Sequence, residues 1–171
     1  RESNLGLIEY VRDHLQGLGM PVRLSYDAEK RKANLFATLG DPKARGIVLC
    51  GHTDVVPVDG QAWNTDPFKA HIADGKIYGR GAVDMKGYIA ASLAMLPAFM
   101  NSDLKQPLNI GLTYDEEVGC TGAPPMIAAM QGVLPKGSAA VIGEPSRMKI
   151  ITGHKGGTGF FVHVKGFEVH S

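Results

Sequence analysis

Apolar residues recur along the chain with two different periods. Between residues 3 and 18 they fall three or four positions apart, which predicts a helix that Ser3 caps and that stops at the Gly-Met-Pro of 19–21. Apolar and polar residues alternate over 22–26, and a further apolar run covers 34–39. Both segments are short and end in turn residues, so we expect two strands.

The rest of the chain alternates between apolar runs and helical segments. The patterns predict strands at 46–50, 76–78, 108–113 and 139–142, and helices at 85–100 and 123–130. The run at 46–50 is continuous, which is typical of a strand covered on both faces, whereas 55–75 predicts a long loop. Strands that alternate with helices indicate an α/β sandwich with a mostly parallel sheet.

Composition and charge exclude several classes of protein. The 171 residues are 44% hydrophobic and 20% charged, and 18 basic against 17 acidic residues give a net charge of +1. That balance favours neither a nucleic acid nor an anionic membrane as partner. No apolar run is long enough to span a membrane and no signal peptide is visible, so we expect a cytoplasmic protein. Cys50 and Cys120 are too few for a disulfide framework. Both are expected to be packed thiols, and the alternative for Cys120, three residues after Glu117, is that it approaches the acidic site.

Three adjacent acids, Asp115, Glu116 and Glu117, begin two residues after the end of the predicted strand at 108–113. Carboxylates crowded together at a strand end repel one another unless a cation or hydrogen-bond donors stabilise them. One of the two glutamates could bind a metal ion while the other acts as a base, because the side chains of neighbouring residues generally diverge. The alternative is a solvated acidic turn, and Asp115 fits that description.

Further candidate ligands also stand where predicted strands or helices end. His52 and Asp54 follow the strand at 46–50, and in extended chain they point to one side, so that His52 could bind zinc while Asp54 orients its ring. Asp84 precedes the apolar helix and Glu144 follows the last strand. Each residue has a simpler reading: a strand-end histidine, a helix cap, a turn acid. Together they favour a metal site, since the ends of parallel strands meet at one edge of a sheet.

Four short segments resemble the dinuclear zinc amidohydrolase and exopeptidase family. They read GHTDVVP at 51–57, GRGAVDMKG at 79–87, DEEVG at 115–119 and GEPS at 143–146. The resemblance covers essentially the whole chain. It implies a three-layer α/β sandwich with a mostly parallel mixed sheet, of the zinc-exopeptidase kind, here incomplete.

The resemblance also implies a set of metal ligands. His52 and Glu144 would bind one zinc ion, Glu117 would bind a second, and Asp84 would bridge the two. A cis peptide bond is expected between Asp84 and Met85. Cobalt or manganese could replace zinc, because carboxylate-rich sites accept these ions as well. The family's further histidine ligand of the second ion is not present in this sequence.

Other residues gain catalytic roles and a domain assignment from the same resemblance. Glu116 would be the general base, Asp54 the partner of His52, and His170 a ligand of the substrate. Residues 1–157 would form the metal-binding catalytic domain, without its C-terminal part. Residues 158–171, where 158–164 are rich in strand-forming side chains, would begin a lid domain through which the full-length protein forms a homodimer.

The segments at 143–146 and 153–156 are most similar to the acetylornithine deacetylase branch of the family. The implied reaction is deacetylation of N-acetylornithine to ornithine and acetate, a step of arginine biosynthesis, and the implied partner is a small N-acyl amino acid. Alternatives are a desuccinylase, an aminoacylase, a dipeptidase, or a piece that only folds and associates. We expect this piece alone to be inactive.

Overall fold

The computed structural model describes residues 2–131, 134–153, 155–167 and 169–170. The helices are α1 (Leu5–Gly17), α2 (Gly87–Met100) and α3 (Ala123–Met130). The strands are β1 (Val22–Tyr26), β2 (Ala33–Leu39), β3 (Ile47–His52), β4 (His71–Ala73), β5 (Lys76–Tyr78), β6 (Leu108–Thr113) and β7 (Ala139–Ile142).

Five strands form one mixed sheet in the order β1-β2-β6-β3-β7. β3 pairs in parallel with β6 on one side and with β7 on the other. β2 is antiparallel to both β1 and β6, so four of the five strands run in one direction and only β2 is reversed. The expectation of a mostly parallel mixed sheet is confirmed. The carboxyl ends of β3, β6 and β7 therefore meet at one edge.

Helices cover both faces of the sheet, which gives three layers. On one face α1 and α2 pack against alternate residues of β2 and β6 and form the core. The buried residues of that core include Ile8, Val11 and Leu15 of α1, Ile89, Leu93 and Leu96 of α2, Leu35 of β2, and Ile110 and Leu112 of β6. On the other face, α3 buries Met126 close to Gly111 of β6.

Several predicted elements differ in detail from the observed ones. Residues 82–86 form a π-type turn, so the apolar helix begins at Gly87 and not at Met85. Residues 71–73, predicted as loop, pair with β5 in a separate two-stranded sheet. Asn4, and not Ser3, stands at the cap position of α1, but its side chain makes no capping bond and instead bonds the Ala33 backbone. Ser3 Oγ accepts the Leu5 N–H.

The last part of the chain departs from the prediction more clearly. The described residues of 158–170 form no strand and are exposed, although a β-rich run was expected at 158–164. A single strand gains its hydrogen bonds only beside a partner, and no partner strand lies next to this segment among the described residues. β7 is exposed along its whole length, and β3 is covered less completely than its continuous apolar run predicts. The assignment of 158–171 to a lid domain stays a prediction.

Within the described residues, no helix is both long and apolar enough to cross a membrane.

Candidate metal centre

The parallel strands bring three separate parts of the sequence together at one edge of the sheet. His52 is the last residue of β3, the acidic loop 115–117 follows β6, and Glu144 stands two residues beyond β7. Asp84, in the turn before α2, closes the group from the side of the helix. The site therefore arises where strand ends converge, as expected for an open α/β sheet.

The His52 ring lies at the bottom of this group, with a side chain that is 2% exposed. Its Nε2 atom lies 3.0 Å from Asp84 Oδ1, 3.6 Å from Glu144 Oε1 and 3.9 Å from Glu116 Oε2. Its Nδ1 atom lies 3.1 Å from the backbone oxygen of Asp54 and 3.5 Å from Asp54 Oδ1. The two ring nitrogens thus have different surroundings: Nδ1 contacts Asp54, and Nε2 faces the carboxylates of Asp84, Glu116 and Glu144.

The charges around His52 control its protonation. Burial by itself lowers the pKa of the imidazole, but hydrogen bonds to Asp54 and Asp84, with the charge of Glu144, outweigh burial and raise the pKa to about 9. Without a metal ion the ring is therefore protonated at neutral pH. A cation that binds Nε2 must displace that proton.

Asp54 connects two strand ends through its carboxylate. Its Oδ1 accepts the Glu116 N–H at 3.0 Å and its Oδ2 accepts the Glu117 N–H at 3.1 Å. Burial raises the pKa of Asp54, and the bonds from His52 and from these two N–H groups outweigh that effect and lower it. Asp54 therefore stays ionised, and besides orienting His52 it fixes the backbone of the acidic loop, a role that we did not predict.

The first acid of the loop points away from the centre. Both carboxylate oxygens of Asp115, which has a φ of 55°, accept bonds from Lys32 Nζ, at 2.7 and 2.6 Å, and Oδ2 also accepts the Thr121 hydroxyl at 3.5 Å. The buried Asn34 amide donates to Gly122 O and accepts the Tyr114 N–H, and so ties both ends of the loop to β2. With Asp115 neutralised by Lys32, only two of the three adjacent acids are directed at the site.

Asp84 is held by an unusual turn. The Asp84–Met85 peptide bond is cis, as predicted. Met85 is fully buried, and its Sδ accepts the His52 backbone N–H at 3.2 Å. Lys86 Nζ donates to the Thr53 backbone oxygen at 2.8 Å, and burial lowers the pKa of its ammonium while the charge of Asp54 opposes that change. Three successive residues therefore link this turn to the 52–54 segment.

Glu144 is positioned by an aromatic contact. The Tyr88 hydroxyl donates to the Val141 backbone oxygen at 2.9 Å, which places its ring over the turn that follows β7. A Cβ on Gly143 would lie 1.9 Å from the Tyr88 ring, so only glycine fits there. The close approach of Gly143 to α2 thus fixes where the Glu144 side chain begins.

The carboxylates above His52 remain half-exposed and repel one another. The side chains of Asp84, Glu116 and Glu144 are 42%, 41% and 44% exposed. Burial and then the charge of Asp84 raise the pKa of both Glu117 and Glu144, and His52 reduces that increase. The site is an open, anionic cup over one imidazole, and a cation would relieve its repulsion.

The donor atoms fit a metal ion. His52, Glu116 and Glu144 offer ligand atoms that lie within 4.8 Å of one another, and so do His52, Asp84 and Glu117. Imidazole nitrogen with carboxylate oxygens is a donor set that zinc, cobalt and manganese all accept. Both groups use the same imidazole, whose Nε2 can bind one ion, so these residues offer one histidine-containing site at a time.

The structure brings five of the predicted site residues into this cup and places Asp54 behind it; their roles as ligand, bridge or base stay predictions. His170 is exposed, and within the described residues no hydrogen bond or ion pair joins it to the cup. Cys120 was expected to be packed, but it is exposed, and its Sγ lies 3.8 Å from Glu116 Oε1. Lys86 belongs to the segment 79–87 that carries the family resemblance, so the sequence could have indicated it as a site residue. No motif surrounds Lys32 or Asn34, and nothing local indicated them.

Comparison with known sequences identifies the group of proteins that this chain resembles. The model of peptidase family M20/M25/M40 matches residues 48–165. The acetylornithine deacetylase of Proteus mirabilis (strain HI4320) is 39% identical over 171 residues, which are 99% of this chain and 43% of that protein. The acetylornithine deacetylase of Shigella sonnei (strain Ss046) is 37% identical over 99% of this chain and 44% of its own length. The chain thus spans less than half of these relatives.

Solved structures agree with the fold. Human carnosine dipeptidase 1 superimposes with a TM-score of 0.67 at 29% identity, over 79% of this chain and 31% of its own. The metallo-carboxypeptidase Sso-CP2 of Sulfolobus solfataricus gives a TM-score of 0.64 at 24% identity, over 79% of this chain and 31% of its own, which supports the fold alone.

Proposed function

The chain belongs to peptidase family M20/M25/M40, and from that premise we propose that its full-length protein is a metal-dependent hydrolase of N-acyl amino acids. Its substrate in this proposal is N-acetylornithine, which is cleaved to ornithine and acetate in the synthesis of arginine. The relatives at 39% and 37% identity that carry the name acetylornithine deacetylase support this choice.

One observation carries the proposal of hydrolysis. Three carboxylates lie within 3.9 Å of the His52 Nε2 atom, and they remain open to solvent on the other side. A purely structural metal site would enclose its ligands, whereas a catalytic site keeps a position accessible to water and substrate. The open cup therefore favours chemistry over a structural role.

In the full-length protein we propose two ions, with zinc as the first choice: His52 and Glu144 would hold one, Glu117 would hold the second, and Asp84 would serve both. A bound ion of this kind lowers the pKa of water and polarises a carbonyl group. Asp54 keeps Nδ1 of His52 protonated, so that Nε2 would present its lone pair to an ion once its own proton has been displaced. These ligands agree with the donor set, and cobalt or manganese would satisfy it too.

Glu116 performs the proton transfers. Its backbone N–H is held by Asp54, while its carboxylate is 41% exposed and so accessible to water and substrate. It accepts the proton of the attacking water as the new C–O bond forms at the acyl carbon. It then returns that proton to the amide nitrogen as the C–N bond breaks, which releases the amine and the carboxylic acid.

Two further parts of the proposal lie outside this cup. His170 would reach the substrate's acyl oxygen from a lid domain that begins at residue 158, and the full-length protein would dimerise through that domain. We place the protein in the cytoplasm. The test of the His170 role is a His170→Ala substitution in the full-length protein, which should lower kcat and leave metal content unchanged.

The Glu116→Gln variant of the full-length protein tests the assignment of the base. Glutamine keeps the shape but cannot accept the proton, so zinc content should be unchanged while kcat falls by about a thousandfold or more. Glu9→Gln, in the exposed face of α1, serves as the matched control and should be fully active. Retained turnover in Glu116→Gln would remove Glu116 from the role.

A substrate panel separates the proposed reaction from its nearest rival. The likeness to carnosine dipeptidase 1, at 29% identity, favours a dipeptidase as second candidate. kcat/KM should therefore be measured on N-acetylornithine, N-succinyl-diaminopimelate, N-acetylmethionine and a dipeptide with the same protein. A kcat/KM highest for the dipeptide would replace the deacetylase proposal, and no hydrolysis of any of them would reject hydrolysis of this class.

A further inference from the structure

A cavity of about 430 Å³ opens beside the metal centre. Its walls come from the loop around Trp63, the end of β5 at Tyr78 and the turn at 79–84. Asp84 lines it, and the same Asp84 carboxylate contacts His52 at 3.0 Å. The cavity therefore adjoins the candidate metal centre at Asp84, and a ligand that fills it reaches that side of the centre.

Arg80 supplies the positive charge among the residues that line this cavity. Its guanidinium carbon lies 5.1 Å from the centre of the Trp63 ring, a cation–π contact that holds the plane of the group. Its Nη2 donates to the side-chain oxygen of Gln61, which is an exposed residue. The guanidinium is thus oriented by an aromatic ring and by the side chain of an exposed glutamine.

The neighbouring donor on the same edge of the guanidinium is unsatisfied. Arg80 Nε is buried, and no hydrogen-bond acceptor reaches it within the part of the chain that the structure describes. Buried N–H groups without an acceptor are rare and costly in folded proteins. The Nε and Nη2 edge therefore carries two parallel donors, of which Nη2 bonds Gln61 and Nε has no acceptor. A carboxylate could accept both donors of such an edge in two bonds.

We infer that this cavity binds a carboxylate group of the substrate, and that Arg80 pairs with it by displacing the Gln61 side chain. The inference deepens the proposed function, because it rests on an acyl amino acid as the ligand and names the residue that selects its acid group. Trp63 and Tyr78 would contact the apolar part of the ligand. A substrate without a carboxylate would leave the Arg80 edge unpaired and would bind less well.

Trp63 provides a direct measurement, because it is the chain's single tryptophan and lies in the cavity. We would titrate the 171-residue chain with N-acetylglycine and with the neutral N-acetylglycinamide, in the presence of Zn²⁺, and follow Trp63 emission. N-acetylglycine should bind about tenfold or more tightly than the amide. Isothermal titration calorimetry gives the same affinities without depending on the indole signal.

Three variants separate binding from a structural role of Arg80. Arg80→Gln should abolish the preference for the acid over the amide, and Arg80→Lys should retain part of it because the charge stays while the fork is lost. Gln61→Ala should leave the preference intact or increase it, since the competing acceptor is gone. Thermal unfolding of each variant checks that the fold persists.

The affinities of the parent chain and of the variants either support or reject the carboxylate site. If Arg80→Gln weakens both ligands equally, or neither, or if N-acetylglycine does not bind the parent chain, the carboxylate site is rejected. Hydrolysis by the full-length protein is a separate measurement. If the preference for the acid depends on Arg80 but the full-length protein hydrolyses no acyl amino acid, the carboxylate site stands and the proposed function is rejected. If the full-length protein hydrolyses acyl amino acids but the preference does not depend on Arg80, the proposed function stands and the carboxylate site is rejected.

Discussion

The Lys32 ammonium bonds both carboxylate oxygens of Asp115, at 2.7 and 2.6 Å, although the two residues are 83 positions apart. Both side chains are about four-fifths buried, at 21% and 18% exposure. The pair joins the turn before β2 to the loop that carries Glu116 and Glu117. It therefore neutralises one acid of the triplet and holds the other two in place.

Lys32→Met should destabilise this loop, because it leaves Asp115 largely buried without its cation. We expect a loss of about 1–3 kcal/mol in the free energy of unfolding, smaller than for a fully buried pair, and a severalfold weaker affinity for Zn²⁺. Urea unfolding measures the free energy of unfolding, and isothermal titration calorimetry measures the affinity for Zn²⁺. Lys105→Met breaks the exposed pair with Asp103 and should change neither quantity. Equal behaviour of the two variants would show that the Lys32 pair has no special role.

Asp54→Asn should weaken metal binding although Asp54 is not a predicted ligand. The Asp54 carboxylate accepts the Glu116 N–H on one oxygen and the Glu117 N–H on the other, whereas asparagine has an NH₂ group in place of one of these oxygens. Asparagine also has no charge to stabilise the ring proton of His52. We expect Zn²⁺ affinity to fall about 10- to 100-fold. The exposed Asp59→Asn is the control for loss of one negative charge. An affinity loss of the same size in both variants would mean that overall charge, and not the Asp54 contacts, determines binding.

Much of the site could be predicted because its residues follow strands whose patterns are clear. The apolar runs before His52, Asp115 and Glu144 identify strand ends, and parallel strands place such ends at one edge. The motif spacing therefore predicted the members of the cup. The spacing did not predict that the Glu116 carboxylate lies close enough to His52 and Glu144 to form a ligand group with them, because that proximity arises only when the chain folds.

The contacts that fix the site could not be read from local sequence. Lys32, Asn34 and Tyr88 lie in ordinary-looking segments, and each becomes significant only when the sheet brings it against a loop that is distant in sequence. The strand expected at 158–164 was wrong for a related reason: propensity indicates a strand, but pairing decides whether one forms. Cys120 is likewise exposed because it lies in the loop after β6 and not in the core, which its residue type does not indicate.

Without metal, the chain should lose stability as the pH rises from 6.5 to above 9. The folded pKa of His52 is about 9, above its ordinary value of 6.5, so the folded state holds a proton that the unfolded state has released. The resulting stability is complete below about pH 6.5 and is lost as the pH passes through about 9, with a change of up to about 3 kcal/mol. The raised pKa values of Glu117 and Glu144 act in the same direction at lower pH.

Urea unfolding in EDTA at pH 6.5, 8 and 9.5 measures this dependence. His52→Gln cannot hold the proton, so its stability should change less across the same interval, while lysine and tyrosine titrations affect both proteins alike. The difference between the two profiles isolates His52. Parallel profiles would contradict a raised pKa for this ring.

Gly143→Ala should impair metal binding through the position of Glu144. The added Cβ would lie 1.9 Å from the Tyr88 ring, so the turn must move away from α2 and carry Glu144 with it. We expect a loss of about 1–3 kcal/mol in stability, as for overpacking, and about tenfold weaker Zn²⁺ binding. Gly153→Ala adds the same methyl group where no atom lies within 4 Å, and should have no effect. In a Tyr88→Leu background the ring is gone, so Gly143→Ala should cost little further affinity. If the loss persists undiminished in that background, contact with Tyr88 does not position Glu144.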